Sequence, residues 1–140
     1  MKKLLILLSL TTAITAFGAP HGNSVESATM NINATVIRPL TVEAENMEFG
    51  RVIQGSEATA TARYTITGEP GQPITIELSA PTELINKANN SKLPITLTYT
   101  KPTQIANNGD ASFDINGELT PETTHSGVYE GQVVARVQYQ

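Results

Sequence analysis

The last fourteen residues of this chain alternate between two kinds of side chain, and this pattern constrains the fold more than any other. One row is small or apolar and consists of Gly127, Tyr129, Gly131, Val133, Ala135, Val137 and Tyr139. The opposite row is polar apart from Val134. Strict period-two alternation is typical of a β-strand with one buried face. Because a long strand with an unpaired apolar edge tends to aggregate, we expect an earlier segment of the chain or another molecule to cover this edge.

A second alternating segment lies near the N-terminus, at residues 28–36. Its apolar row consists of Ala28, Met30, Ile32, Ala34 and Val36, and the residues between them are Thr or Asn. The alternation stops at Arg38 and Pro39, where the proline lacks an N–H and has a fixed φ that interrupts a strand ladder. The sequence therefore predicts an N-terminal strand joined to the body by a hinge. Alternation alone leaves open whether this strand pairs with residues 127–139 of its own molecule or of another one.

Residues 1–18 have the features of a secretory signal peptide. Two lysines stand near the start, an apolar run follows, and Ala16 and Gly18 occupy the positions that a signal peptidase reads. The apolar run is far shorter than the roughly 18–20 residues of a membrane-spanning helix. We expect cleavage after Gly18, export of the mature chain and no insertion into a membrane.

The mature chain is expected to consist of an extension at residues 19–37 and one body domain at residues 38–140. Loss of Lys2 and Lys3 takes the formal net charge from −4 to −6. An acidic chain of this kind has no electrostatic basis for binding nucleic acid or an anionic membrane surface. The chain has no cysteine, which excludes disulfides and thiol chemistry.

Turn residues divide the body into short apolar runs, which is typical of an antiparallel β-sandwich. No stretch of ten residues has helical periodicity, and one helical turn is expected at residues 83–86. Asn116 and Gly117 are expected to interrupt one of the runs. The expected strands lie at residues 40–44, 47–49, 58–67, 74–78, 93–99, 113–119 and 127–139, with turns at 68–71 and 107–110. We therefore predict an all-β fold.

The residues that most often carry catalysis or bind metals are few and scattered. His21 lies in the extension and His125 in a loop, and two separated histidines do not make a three-histidine zinc site. Glu43, Glu45 and Glu48 form the densest group of acids, which is typical of an exposed strand edge; a weak cation site is the alternative. The sequence predicts no enzyme active site, no cofactor and no metal.

The two alternating segments together resemble those of the chaperone–usher pilins. In that family a glycine fourteenth from the end, here Gly127, and a penultimate tyrosine, here Tyr139, enclose an alternating apolar row. The order of Ala28–Val36, Pro39 and Leu40–Val42, in a chain without cysteine, is most similar to the alternate branch, the colonisation-factor-antigen-type fimbrial major subunits. The resemblance implies an immunoglobulin-like antiparallel β-sandwich that lacks its last strand and is completed by a donor strand.

The resemblance also implies a function and a set of partners. The chain would be a structural subunit of a cell-surface fimbria that supports adhesion to a host receptor. A periplasmic chaperone would lend the missing strand, and at the outer-membrane usher the extension of the next subunit would replace it, giving a head-to-tail homopolymer. The donor residues would be Ala28, Met30, Ile32, Ala34 and Val36, the hinge Arg38 and Pro39, and the acceptor strand the C-terminal row from Gly127 to Tyr139.

Two other functions stay open on the sequence. The segment Met47–Ile53 resembles a sibling group of small exported domains that are related to spore-coat-U-type proteins. This likeness favours a self-complemented, monomeric surface or coat domain. A minor adhesive subunit is the second alternative, although a dedicated tip adhesin usually carries an additional binding domain.

Overall fold

The structure, a computed structural model, describes residues 22, 24–121 and 125–140. The expected signal peptide at residues 1–18 and His21 lie outside the described residues. Contacts divide the chain into two units, with the boundary between Ala34 and Thr35. In the first unit the described residues are exposed and form no strand.

The second unit is built from eight β-strands. They are β1 (Thr41–Ala44), β2 (Ala58–Thr67), β3 (Ile74–Ser79), β4 (Glu83–Asn86), β5 (Lys92–Tyr99), β6 (Asp110–Leu119), β7 (Tyr129–Glu130) and β8 (Val134–Tyr139). All of their pairings are antiparallel. The described residues contain no helix, and hence none long and apolar enough to cross a membrane. The prediction of an all-β antiparallel fold is confirmed.

The strands form two sheets that differ in size. The larger has the order β1-β2-β6-β5-β4-β7, and the smaller pairs β3 with β8. The long strands β2 and β6 pair along their whole length, from Ala58 opposite Leu119 to Thr67 opposite Asp110. The edge strands of the larger sheet are therefore β1 and β7, while β3 and β8 each have one edge that no named strand pairs with.

Alternating side chains from both sheets meet in one main core. The buried residues of this core are Tyr64, Ile66, Ile74, Ile76, Ile105, Phe113 and Ile115. They come from β2 and β6 of the larger sheet, from β3 of the smaller sheet and from the loop before β6. A second cluster contains Leu93, Ile95 and Leu119. Two sheets that share an apolar core in this way give the sandwich-like arrangement that the spacing of apolar runs predicts.

The residues Glu83–Asn86 form strand β4, so the expected helical turn is wrong. This segment pairs with β5 on one side and with β7 on the other. A helix of four residues closes at most one hydrogen-bonded turn and is costly to nucleate. Two neighbouring strands instead satisfy backbone groups on both sides of the segment. The sequence of these four residues alone does not indicate that such neighbours exist.

Strand β6 continues through Asn116 and Gly117, so the expected interruption is also wrong. A Cβ atom at Gly117 would lie 2.7 Å from both Met47 Sδ and Phe49 Cζ. The glycine therefore makes room for two side chains that cover this part of the sheet. Met47–Phe49, which the sequence predicts as a strand, has no strand pairing and packs as an irregular segment over the two apolar clusters.

The C-terminal segment at residues 127–139, which is expected as one strand, forms two strands in different sheets. Strand β7 pairs with β4 in the larger sheet, and β8 pairs with β3 in the smaller one. Gly131 lies between them, and a Cβ there would be 2.6 Å from Leu84 Cδ2. The missing side chain lets the backbone pass close to β4 before it changes sheet. The alternating row is thereby divided, because Tyr129 packs on the second cluster and Val133 on the main core.

Candidate functional site, an open edge between β1 and β8

Among the described residues, the backbone of β8 presents unpaired groups on the edge that faces away from β3. In an antiparallel pair, residues that exchange hydrogen bonds alternate with residues that do not. Gln140 N donates to Pro73 O at 3.2 Å, so the alternation assigns Gln138, Arg136 and Val134 to the ladder with β3. The N–H and C=O groups of the intervening residues point to the other edge; these residues are Ala135, Val137 and Tyr139.

Strand β1 presents the same kind of edge. Glu45 N donates to Arg63 O at 2.9 Å, which places Glu43 and Thr41 in the hydrogen-bonded pairs with β2. The backbone groups of Val42 and Ala44 consequently point away from β2. No backbone pairing joins β1 to β8 among the described residues.

The side chains of these same residues lie on the inner face of each sheet but are not fully covered. Val42 and Ala44 stand opposite the buried residues Ile66 and Tyr64, so they share the inner face. Val42 is nevertheless 39 % exposed, and Ala44 is exposed as well. On β8 the inner row is only half-buried, and it consists of Val133, Ala135, Val137 and Tyr139. Incompletely buried inner residues therefore follow both free edges, and we call the region between these edges the β1–β8 groove.

The edges of β3 and β7 are protected in ways that the edge of β8 is not. On β3, Ile74 N donates to Thr103 O at 2.9 Å and Lys101 Nζ donates to Ile76 O at 2.8 Å. Strand β7 is two residues long, and its Glu130 forms an ion pair with Lys87. Short edges, charged side chains and covering loops are the usual protection against edge-to-edge pairing. Strand β8, with three alternating apolar residues on its free side, has no comparable protection among the described residues.

A tyrosine from β2 closes one end of the β1–β8 groove. Tyr64 Oη donates to Val133 O at 2.7 Å, just before β8 begins. The tyrosine ring is stacked on Phe113, with centroids 5.3 Å apart and planes at 15°. Burial raises the pKa of Tyr64 above its usual value, so the hydroxyl keeps its proton and donates throughout the neutral range.

A second tyrosine, Tyr139, closes the opposite end at the predicted hinge. Its hydroxyl donates to Arg38 O at 2.8 Å and accepts from Glu69 N at 2.8 Å. Arg38 N in turn donates to Glu69 Oε2 at 3.1 Å. Gly68 allows this close approach, because a Cβ there would lie 2.6 Å from the Tyr139 hydroxyl. The chain thus enters the body at Arg38, where β8 ends, in a fixed backbone position.

The predicted donor residues are exposed in the single chain. Met30 is 83 % exposed, Ile32 87 % and Val36 93 %, and Ala28 and Ala34 are exposed too. No strand is present at residues 28–36, since a strand needs a neighbour to complete its hydrogen bonds. The apolar row that the sequence predicts for a strand is therefore not buried by any of the residues that the structure describes.

A comparison with protein families places the chain among known sequences. A family model described as a domain of unknown function, DUF4402, matches residues 16–139. This chain belongs to the DUF4402 family. The match covers the predicted donor segment as well as β8, so both sides of the candidate contact lie within the family domain. No curated protein matches the sequence.

In this DUF4402 domain the first part of the C-terminal row has a structural role outside the β1–β8 groove. Gly127 lies against the buried side chain of Asn86. The Asn86 amide oxygen accepts from Ala88 N at 2.9 Å, and its backbone bonds to Ser91 and Asn90. The hydroxyl of Tyr129 donates to His125 O at 2.6 Å and lies 2.8 Å from Ser91 Oγ. These contacts hold the β4–β5 hairpin to the chain before β7, and only the part of the row from Val133 onward lines the groove.

Replacing Gly127 with alanine is expected to destabilise the domain strongly. Its φ is +153° and a Cβ would collide with Asn86 Nδ2, so strain and steric overlap combine to cost about 3 kcal/mol or more. Gly50→Ala is the matched control, because Gly50 also has a positive φ of +66° but no atom within 4 Å of the added Cβ; its cost is about 1–2 kcal/mol. Thermal unfolding should show a midpoint at least about 10 °C lower for Gly127→Ala than for the wild type. Equal midpoints for the two variants would contradict the Asn86 contact.

Several charged residues of the DUF4402 domain form ion pairs on its surface. Arg63 Nε donates to Asp114 Oδ1 at 2.7 Å, and this hydrogen bond lowers the pKa of Asp114 and raises that of Arg63. Glu45 Oε2 accepts from Arg63 N at 3.1 Å, so this predicted acidic residue supports the β1 edge. Within residues 22, 24–121 and 125–140, no three acidic or histidine side chains come together as a metal site.

The residues that sequence analysis missed are Tyr64 and Glu69. Tyr64 lies in the alternating row of β2 among small and aliphatic residues, and a buried tyrosine needs a partner for its hydroxyl. This requirement signals a hydrogen bond but gives no indication of where the partner lies. Glu69 is part of a turn cluster, and its role at the hinge depends on a contact with a residue 70 positions away.

Proposed function

We propose that this DUF4402 chain is the structural subunit of a cell-surface fimbria, and that residues 28–36 of one copy insert as a strand into the β1–β8 groove of the next. The observation that carries the proposal is the pair of free strand edges, β1 and β8, whose free backbone groups and incompletely buried apolar side chains belong to the same residues. An added strand would complete both features together, since main-chain bonds provide affinity and alternate side chains provide specificity.

The composition of residues 28–36 suits this groove. Its apolar row would face the inner rows of β1 and β8, and its Thr and Asn residues would face solvent. Burial of Met30, Ile32 and Val36 would contribute on the order of 1.5–3 kcal/mol each. The free residues of β8 add a ladder of backbone hydrogen bonds. Joints of this kind would dissociate slowly and be stable in the kinetic sense.

The entry point of the chain favours one orientation of the added strand. Each subunit's own extension joins its body at Arg38, beside Tyr139. A strand antiparallel to β8 would end near Val133, so the body that donates it would lie at the opposite end of the groove from Arg38. A parallel strand would bring both neighbours to the same end. The antiparallel arrangement joins different surfaces of the two copies and yields an open, head-to-tail filament.

The same open groove accounts for the assembly partners in this proposal. An uncovered apolar edge is liable to pair with the wrong strand during export. A periplasmic chaperone would cover it, an outer-membrane usher would exchange the cover for the next subunit, and the finished fimbria would support adhesion to a host receptor. The fold in this account is an immunoglobulin-like sandwich that lacks its last strand, and the leader at residues 1–18 directs export.

The test is the state of the full chain after export and purification without denaturant. We expect a ladder of multiples of the subunit mass on an unboiled detergent gel, which collapses to one band on boiling, and early elution in size-exclusion chromatography. A chain that lacks residues 19–37 is expected to give no ladder. If the full chain is instead a stable monomer at all concentrations and the shortened chain aggregates, the strand closes its own body and the protein is a self-complemented surface domain.

A further inference from the structure

We infer that Tyr64 determines the register of the inserted strand by ending the free ladder of β8 at Ala135. This inference rests on the proposed function. Tyr64 would act as a positioning residue, since its hydroxyl occupies the last backbone acceptor before β8 and competes there with the N–H of the incoming strand.

The geometry of Tyr64 supports a fixed stop rather than a movable one. The residue is 9 % exposed and its ring is stacked on Phe113. Its hydroxyl lies 2.7 Å from Val133 O, the usual length of a hydrogen bond between a hydroxyl and a carbonyl oxygen. By the alternation of β8, Val133 O points toward the free edge. The hydroxyl therefore stands in the direction from which the N–H of an added strand would approach.

The donor segment needs such a stop because its own pattern does not define a register. A slip of one residue turns the whole apolar row outward and is strongly disfavoured. A slip of two residues keeps every apolar side chain facing inward, because Ala28, Met30, Ile32, Ala34 and Val36 repeat evenly. Hydrophobic matching alone thus permits several registers. A bound hydroxyl at one end of the groove stops the antiparallel strand from advancing past Ala135.

Disulfide trapping can read the register directly, because the natural chain has no cysteine. The acceptor is the full chain with Arg136→Cys, an exposed position on the outer row of β8, and Ile32→Asp to stop self-polymerisation. The probes are synthetic peptides of residues 26–37, each with one cysteine on the outward row, at Thr29, Asn31, Asn33 or Thr35. Cross-link yields under mild oxidation are measured by mass spectrometry.

With Tyr64 present, one cysteine position is expected to give nearly all of the cross-link. In the acceptor that also carries Tyr64→Phe, the position two residues away should gain roughly fivefold or more, the factor that one hydrogen bond represents. An unchanged single position in a folded Tyr64→Phe acceptor would overturn the inference while leaving the proposed function intact. No cross-link with any peptide in either acceptor would overturn the proposed function, and the inference with it.

A second measurement keeps the inference testable if Tyr64→Phe fails to fold. A peptide whose alternating pattern continues for two residues after Val36, with Thr and Val in place of Ile37 and Arg38, is titrated against the acceptor that retains Tyr64. If Tyr64 ends the ladder, the longer peptide binds within about twofold of the original. A gain of about fivefold, as one added hydrogen bond would give, would show that the ladder extends past Val133 and would contradict the stop.

Discussion

A full chain with Ile32 replaced by aspartate is expected to be folded, monomeric and unable to form the detergent-resistant ladder. Ile32 is 87 % exposed in the single chain, so the substitution removes no packing from the body. In the β1–β8 groove the same carboxylate would be buried without a partner, which costs several kcal/mol. Unboiled detergent gels and size-exclusion chromatography measure the loss, and circular dichroism checks the fold.

Asn33→Asp is the matched control for this result. It adds the same charge one residue away on the opposite face of the donor segment, where the side chain would remain in water. We expect it to polymerise almost as well as the wild type. Equal loss of the detergent-resistant ladder in both variants would indicate charge repulsion between copies. A normal ladder from Ile32→Asp would contradict the proposed donor role of this apolar row.

The second large effect is expected from Val137→Pro on the acceptor side. Proline removes an N–H that faces the free edge of β8 and leaves the bonds of Arg136 and Gln138 with β3 in place. Proline is tolerated in edge strands when its nitrogen faces away from the ladder. The variant should therefore fold, yet accept no strand. Gln138→Pro is the control, because its N–H belongs to the β3 ladder, and we expect a fall of about 3 kcal/mol or more in the free energy of unfolding.

Mixing the two variants separates donor from acceptor. Ile32→Asp retains a groove but has no usable strand, while Val137→Pro retains a strand but has no usable groove. The mixture is expected to give dimers that do not extend, and neither variant alone should give any. Long ladders from the mixture would mean that Val137→Pro still accepts a strand. An absence of dimers would mean that the two substitutions do not act on the two halves of one contact.

Most of the fold that could be predicted from the sequence was predicted from the period-two alternation of apolar and polar residues. Residues 58–67 alternate cleanly, and β2 has those bounds, because one face is buried along its whole length. The pattern failed where a distant contact decides the local structure. Gly117 is part of a continuous strand because β2 and β5 pair with it on both sides, and β4 is a strand because β5 and β7 lie beside it.

The candidate site was predictable in outline for the same reason. Alternation predicted the row of β8 and, as a hypothesis, a donor row at residues 28–36, and the missing N–H of Pro39 predicted a hinge. The division of the C-terminal row at Gly131 was not predictable, since it depends on the approach of Leu84. The closure of the groove by Tyr64 and Tyr139 depends on hydrogen bonds across 69 and 101 positions of the chain, which no local pattern contains.

The position of Tyr139 has a mechanical consequence for a filament under tension. Its backbone lies on the edge that would hold the incoming strand, and its hydroxyl bonds to Arg38, where the outgoing extension begins. A pulling force that enters a subunit through the bound strand would pass across its hydrogen bonds to β1, whose chain continues to Arg38, and to β8, which Tyr139 links to the same residue, so it would leave without crossing the main core. Each subunit would then be loaded mostly along one strand in shear, the direction in which the bonds of a ladder share the force. The apolar core would carry little of the load, so the strength of such a fibre would depend on a line of hydrogen bonds and not on the stability of its folded domains.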